Sequence, residues 1–212
     1  MLLGHRGARS LRSVPENSIE SFERALADGC DGFEFDVRLT ADGKAVVCHD
    51  PYYKGFEIAT SSATKLPALP QLEDVISRFH PRAFLDIELK VEGLELVTLE
   101  LLRPFRTEGR FVVSSFLPAV LRRLRAEDAS LPLGFICETR EELQSWKGVS
   151  CEYVIPHHTL LNRETVDMLQ DAGKVIVAWT VNTTREMKKC RDFGVSGIIS
   201  DKTRLLSKAF QR

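Results

Sequence analysis

From Ala83 onward the chain repeats one pattern: a short apolar run, then a longer stretch whose apolar residues recur at helical spacing. Strands are expected over Ala83–Lys90, Phe111–Ser114, Leu131–Ile136, Tyr153–Ile155, Val175–Val181 and Gly197–Ser200, with helices between them. Two earlier strands, at Leu2–Gly4 and from Phe33, are separated by a helix from Ile19, capped by Asn17 or Ser18 and ended by Gly29. That makes eight core strands, starting near Leu2, Phe33, Phe84, Phe111, Leu131, Tyr153, Val175 and Gly197. Such alternation requires a parallel sheet with helices outside, and eight repeats close it into a TIM (β/α)8 barrel at the compact end of its size range. An open doubly wound sheet would want a Gly-x-Gly-x-x-Gly turn or a P-loop, and the chain has neither. Residues 1–212 therefore read as a single barrel domain, with an insertion of a β-hairpin and a short loop at about 38–70 after strand 2.

The strand from Gly32 carries the chemistry. Apolar and polar residues alternate through Phe33, Glu34, Phe35, Asp36 and Val37, so both carboxylates leave one face and the apolar side chains the other. Two unit charges ~5 Å apart at an effective dielectric of ~20 repel by roughly 3 kcal/mol, so a cation or a proton must relieve them. Asp42-Gly43 is a hairpin signal, and with those two as the turn residues Ala41 faces Lys44, Leu39 faces Val46 and Asp36 faces His49. From Pro51 to Pro70 periodicity is lost, and this long loop lies next to His49.

Net charge is −1, from 29 basic and 30 acidic residues, so no bulk field favours nucleic acid or an anionic membrane. No run approaches the ~18 apolar residues of a membrane span, so no stable membrane insertion is expected. Only two apolar residues follow Met1 before polar chemistry starts, too few for a signal peptide's core. The five cysteines are scattered and form no Cys-x-x-Cys pair, which suits free thiols and a cytoplasmic location. Asn182-Thr183-Thr184 matches a glycosylation acceptor, read as chance in that setting.

In a barrel of this kind the active site forms at the carboxyl ends of the strands. His5 and Arg6, Glu34 and Asp36 with His49, Glu88 and Lys90, Ser114 and Ser115, His157 and His158, Trp179 and Asp201 all fall there. Glu34, Asp36 and Glu88 are an all-oxygen set suited to one divalent cation, Mg2+ or Ca2+, although Glu88 and Lys90 would also satisfy each other as a simple strand-surface ion pair. His5 and His49 fit a general acid and a general base. Arg6 and Lys90 supply the positive charge a phosphate requires, and Trp179 is either an apolar wall or barrel packing.

The segments His5-Arg6-Gly7, Pro15-Glu16-Asn17-Ser18, Glu34-x-Asp36-Val37 through His49-Asp50, Glu88-x-Lys90, Trp179-Thr180-Val181-Asn182 and Gly197-Ile198-Ile199-Ser200-Asp201 closely resemble the successive signatures of glycerophosphodiester phosphodiesterases. The resemblance implies a TIM barrel that hydrolyses glycerophosphodiesters, such as glycerophosphocholine or glycerophosphoethanolamine, to glycerol 3-phosphate and an alcohol. It implies Glu34, Asp36 and Glu88 as metal ligands, His5 and His49 as the acid–base pair, Arg6 and Lys90 as the phosphate clamp, and Glu16 and Trp179 in the pocket lining. It leaves open which histidine is acid and which is base, and whether a neighbouring glycerol hydroxyl attacks first to give a cyclic phosphate. Ser18 and Ser200 stand where the family more often has Thr, and the Pro51–Pro70 segment lacks an expected Arg-Thr-Thr stretch. The alternatives are a phospholipase or sphingomyelinase D-like enzyme, which would need an exposed apolar rim, and a non-catalytic barrel that binds a phosphorylated ligand and has no need of both histidines.

Overall fold

The structure, a computed structural model, describes residues 1–11, 13–105 and 110–210. Eight parallel strands close on themselves: β1 (Leu2–Gly4), β2 (Gly32–Leu39), β6 (Phe84–Leu89), β7 (Phe111–Ser115), β8 (Leu133–Cys137), β9 (Tyr153–Pro156), β10 (Val175–Ala178) and β11 (Gly197–Ser200). β1 pairs with both β2 and β11, which completes the barrel. The helices are α1 (Ile19–Ala27), α2 (Leu72–Phe79), α3 (Glu95–Leu102), α4 (Pro118–Glu127), α5 (Arg140–Gln144), α6 (Arg163–Asp171), α7 (Thr184–Phe193) and α8 (Thr203–Phe210). The closed barrel expected from eight strand–helix repeats is the fold, and the fifth strand starts at Leu133 rather than Leu131 because Pro132 has no N–H for a ladder.

Alternation along the strands divides the interior in two. The outward side chains Phe33 and Phe35 pack against Phe22 of α1, Phe33 stacking on it at 4.2 Å, while Phe79 of α2 meets Phe33 edge-on at 5.0 Å. These belong to the large core between strands and helices. Inside the barrel a smaller apolar cluster of Leu3, Ile136, Ile155, Val177 and Ile199 fills the axis beneath Trp179 and Phe116.

The insertion after β2 holds β3 (Ala45–Val47), antiparallel to β2, a small hairpin of β4 (Tyr52–Tyr53) and β5 (Phe56–Glu57), and two turns of 3-10 helix at Ile58–Thr60 and Ala63–Lys65. Val46, Cys48, Ile58 and Leu66 give it a core of its own. Its register corrects the two-residue turn. Leu39 faces Ala45 and Val37 faces Val47, so Cys48, not His49, stands opposite Asp36. The loop has three residues, with Gly43 at φ +75 and its N–H on the Thr40 carbonyl, the turn-plus-bulge form of a hairpin. Side chains set this choice: the Thr40 hydroxyl donates to Asp42, whose carboxylate also accepts from the Ala63 N–H and the Ser62 hydroxyl.

Candidate active site

Glu34 and Asp36 point into the barrel from β2, and the parallel register places Asp36 beside Glu88 of β6. One oxygen of each of Glu34, Asp36 and Glu88 lies within 4.8 Å of the others, and all three residues are buried. Two of their oxygens are held by neighbouring donors. Glu34 Oε2 accepts from the Arg6 N–H at 2.9 Å, and Asp36 Oδ2 accepts from Asn17 Nδ2 at 2.8 Å. Arg6 reaches Glu34 because its backbone is left-handed, at φ 49, and the following Gly7, at φ +80, passes so close to Ser21 of α1 that a Cβ there would collide with it.

Buried Glu34 Oε1 has no hydrogen-bond partner among the described residues. An orphaned carboxylate oxygen aimed at two further carboxylates fits a hard divalent cation, whose ligands are oxygens. Burial, and then the charge of Asp36, pushes the carboxyls of Glu34 and Glu88 upward, Glu88 to about 7. Burial acts on Asp36 in the same sense, but Lys90, Arg6 and Asn17 outweigh it and hold its carboxyl below the usual range. Lys90 Nζ lies 2.7 Å from Glu88 and 3.4 Å from Asp36, so the Glu88–Lys90 pair exists and is part of the cluster, not an alternative to it.

The two histidines flank this cluster and line one cavity of about 310 Å³ with Arg6, Glu34, Glu88 and Lys90. His5 Nδ1 meets Asp201 at 2.6 Å, and its Nε2 lies 3.8 Å from Glu34. Burial alone would raise the Asp201 carboxyl, but its bond to His5, the charge there and the Asn182 amide hold it at about 2. The ionised carboxylate can only accept, so Nδ1 carries the ring proton and Nε2 faces the site. His49 is held in the same way by Asp50 at 2.7 Å, and its carbonyl is anchored by Arg38.

Trp179 lines the cavity with its ring N–H on the Ile155 carbonyl and its ring perpendicular to that of Phe116. Glu16 does not line it. Its carboxylate grips Arg6 Nη1 and Arg9 Nε, both at 2.7 Å, from a neighbouring cleft that His49, Asp50 and Tyr52 also line. Asn17, Asp50, Asp86 and Asp201 are additional groups at the site. Alternation with Glu88 and Lys90 puts Asp86 on the charged face of its strand. Asn17 gives no such signal, because its helix-entry setting points to a cap, a role that Ser18 performs. Asp201 falls at the mouth from the strand pattern, but its partner lies 196 residues away and only barrel closure joins them.

Residues 5–65 and 52–205 match the glycerophosphoryl diester phosphodiesterase family. A glycerophosphodiester phosphodiesterase of Bacillus altitudinis is 30% identical over an alignment of 234 residues, which covers 94% of this chain and 94% of that protein. One from Caldanaerobacter subterraneus subsp. tengcongensis is 28% identical over 229 residues, covering 95% and 93%. Among solved structures, a phosphodiesterase of Oleispira antarctica in complex with the product sn-glycerol-3-phosphate has the same fold, with a TM-score of 0.85 at 22% identity over 99% of this chain and 96% of that one. The glycerophosphodiester phosphodiesterase of Thermotoga maritima gives 0.85 at 24% over 98% and 96%.

Proposed function

This chain belongs to the glycerophosphoryl diester phosphodiesterase family, and on that premise we propose that it hydrolyses glycerophosphodiesters to glycerol 3-phosphate and an alcohol with the aid of one divalent cation. The observation that carries the reading is a cavity in which three clustered carboxylates stand between two imidazoles, each fixed through Nδ1 by its own carboxylate. A protein that only bound phosphate would need neither anchored imidazole.

Glu34, Asp36 and Glu88 would hold the cation, and their oxygen donors suit Mg2+ or Ca2+. When bound, it supplies Lewis-acid polarisation and charge neutralisation at the phosphoryl oxygens. Lys90 and Arg6 add positive charge from the chain itself, and Glu16 aims Arg6 by holding Nη1. His5 is 9% exposed and faces the carboxylates, so it takes a proton of the attacking water at Nε2. His49, whose side chain is 33% exposed, stands where the cavity meets the outer cleft and delivers a proton to the departing alcohol. Trp179 shields one wall from water. The free, buried thiols of all five cysteines agree with a cytoplasmic setting.

The test is release of glycerol 3-phosphate from glycerophosphocholine by the purified protein. EDTA should abolish it and Mg2+ or Ca2+ restore it; release unchanged by EDTA removes the metal from the reading. His5→Ala and His49→Ala should each lower kcat by about 10²- to 10⁴-fold. One observation favours a second reading, phosphodiesters that still carry an acyl chain: Tyr52 and Phe56 are 59% and 47% exposed on the small hairpin beside the outer cleft. Release of choline from lysophosphatidylcholine, with acyl-glycerol 3-phosphate as the other product, decides between them.

A further inference from the structure

The floor of the cavity holds a carboxylate that neither the three-carboxylate cluster nor the two imidazoles use. Asp86 precedes Glu88 by two residues on β6, so it projects from the same face about 7 Å deeper in the barrel. It is 1% exposed yet lines the cavity, where the neighbouring walls are the aliphatic chains of Ile136, Ile155 and Ile199. Its Oδ1 accepts from the buried hydroxyl of Ser114 at 2.6 Å, and this is its one side-chain hydrogen bond among the described residues. Ser114 thus fixes the carboxylate, and Oδ2 is left facing the cavity without a donor. Apolar pockets that recognise small molecules use a few such placed polar groups to set orientation.

We propose that Asp86 Oδ2 accepts a hydrogen bond from the far hydroxyl of the glycerol moiety, and that this contact selects substrates whose inward half is an uncharged polyol. The proposal rests on the function given above. The chemistry of the floor narrows the choice of occupant. It offers a phosphate no cation, whereas Arg6 and Lys90 line the cavity beside Glu88. A trimethylammonium head group has no N–H or O–H to donate to Oδ2. A neutral hydroxyl satisfies the orphan oxygen while its carbons lie against the three isoleucines, and the variable alcohol is left to point outward past His49.

The experiment compares sn-glycerol 3-phosphate with propane-1,2-diol 1-phosphate, which lacks only the far hydroxyl, by calorimetry with the divalent cation present. The wild-type chain should bind the glycerol compound at least about tenfold tighter, since a site built for a hydroxyl rejects the analogue that lacks it. Asp86→Ala should bind both compounds alike, and Asp86→Asn, which keeps an acceptor, should restore part of the discrimination. Ser114→Ala should reduce it by freeing the carboxylate. Equal binding of the two compounds by the wild-type chain overturns the proposal, as does an Asp86→Ala variant that weakens both by the same factor. If Asp86→Ala does not fold, the wild-type ratio and the Ser114→Ala ratio decide. A parallel turnover arm uses the 4-nitrophenyl esters of the two phosphates. Discrimination in binding with no hydrolysis of either ester sinks the catalytic reading and leaves this one standing. Hydrolysis of both esters at equal kcat/KM does the reverse.

Discussion

His5 and His49 each commit Nδ1 to a carboxylate, at 2.6 Å to Asp201 and 2.7 Å to Asp50, but those carboxylates differ in what else holds them. Asp201 also receives the Asn182 amide at 2.6 Å and its side chain is 19% exposed, whereas that of Asp50 is 75% exposed. A shielded acceptor that Asn182 and Arg9 also hold determines the tautomer; an exposed one competes with water. Asp201→Asn should therefore lower kcat by about two to four orders of magnitude with little change in KM, by analogy with loss of the carboxylate behind a catalytic histidine. Asp50→Asn should cost less than about tenfold. Steady-state kinetics on one substrate separate these outcomes, and equal losses would mean the two anchors are equivalent.

The element with the most consequence is β2, because it carries core residues on one face and two candidate ligands on the other. Phe22 stacks on Phe33 at 4.2 Å and meets Phe79 edge-on at 5.7 Å, so it clamps β2 between α1 and α2. Phe22→Ala should destabilise the fold by about 3–5 kcal/mol in urea unfolding. A loss under about 1 kcal/mol would mean the helix–strand interface simply closes over the gap. At the far end of β2, Gly43 holds φ +75 with nothing within 4 Å of a would-be Cβ. Gly43→Ala pays only backbone strain there, about 1 kcal/mol, and should leave the hairpin register unchanged by amide hydrogen exchange. At the end of β10, the capping box of α7 ties Thr183 to Glu186, and the Asn182 N–H donates to that same Glu186 carboxylate, which steadies the residue that holds Asp201.

Across the whole molecule, folding gathers more negative charge at one spot than an unfolded chain would tolerate. Burial lifts Asp86 and Glu88 to about 7 in the folded chain, while in the unfolded chain such groups release protons near pH ~4. Between those limits the folded state binds more protons than the unfolded one, so stability falls as pH rises. In EDTA, melting temperature should decline from pH ~4 to about 7 and flatten above it. A divalent cation should reverse that decline. Because its ligands must be deprotonated, its binding at pH ~6 should release protons and tighten as pH rises toward 7, which calorimetry in buffers of different ionisation enthalpy reads directly. Binding without proton release would place the cation away from these carboxylates. Among the described residues no helix is long and apolar enough to cross a membrane.

The barrel, and the face of β2 and β6 that carries Glu34, Asp36, Asp86 and Glu88, were legible from alternation alone, because a strand's period of two assigns side chains to faces without reference to anything distant. The number of strand–helix repeats then sufficed for closure. Tertiary structure decided the rest. The hairpin slipped by one residue because Thr40 bonds to Asp42 and Asp42 to the loop that follows, and Glu16 moved behind Arg6 because Arg9 and Arg6 both claim it. Asp201 found His5 only because the last strand closes on the first. Periodicity is a local property, whereas pairings between loops, and the depth at which a side chain meets the barrel axis, depend on shear and closure, which no single segment contains.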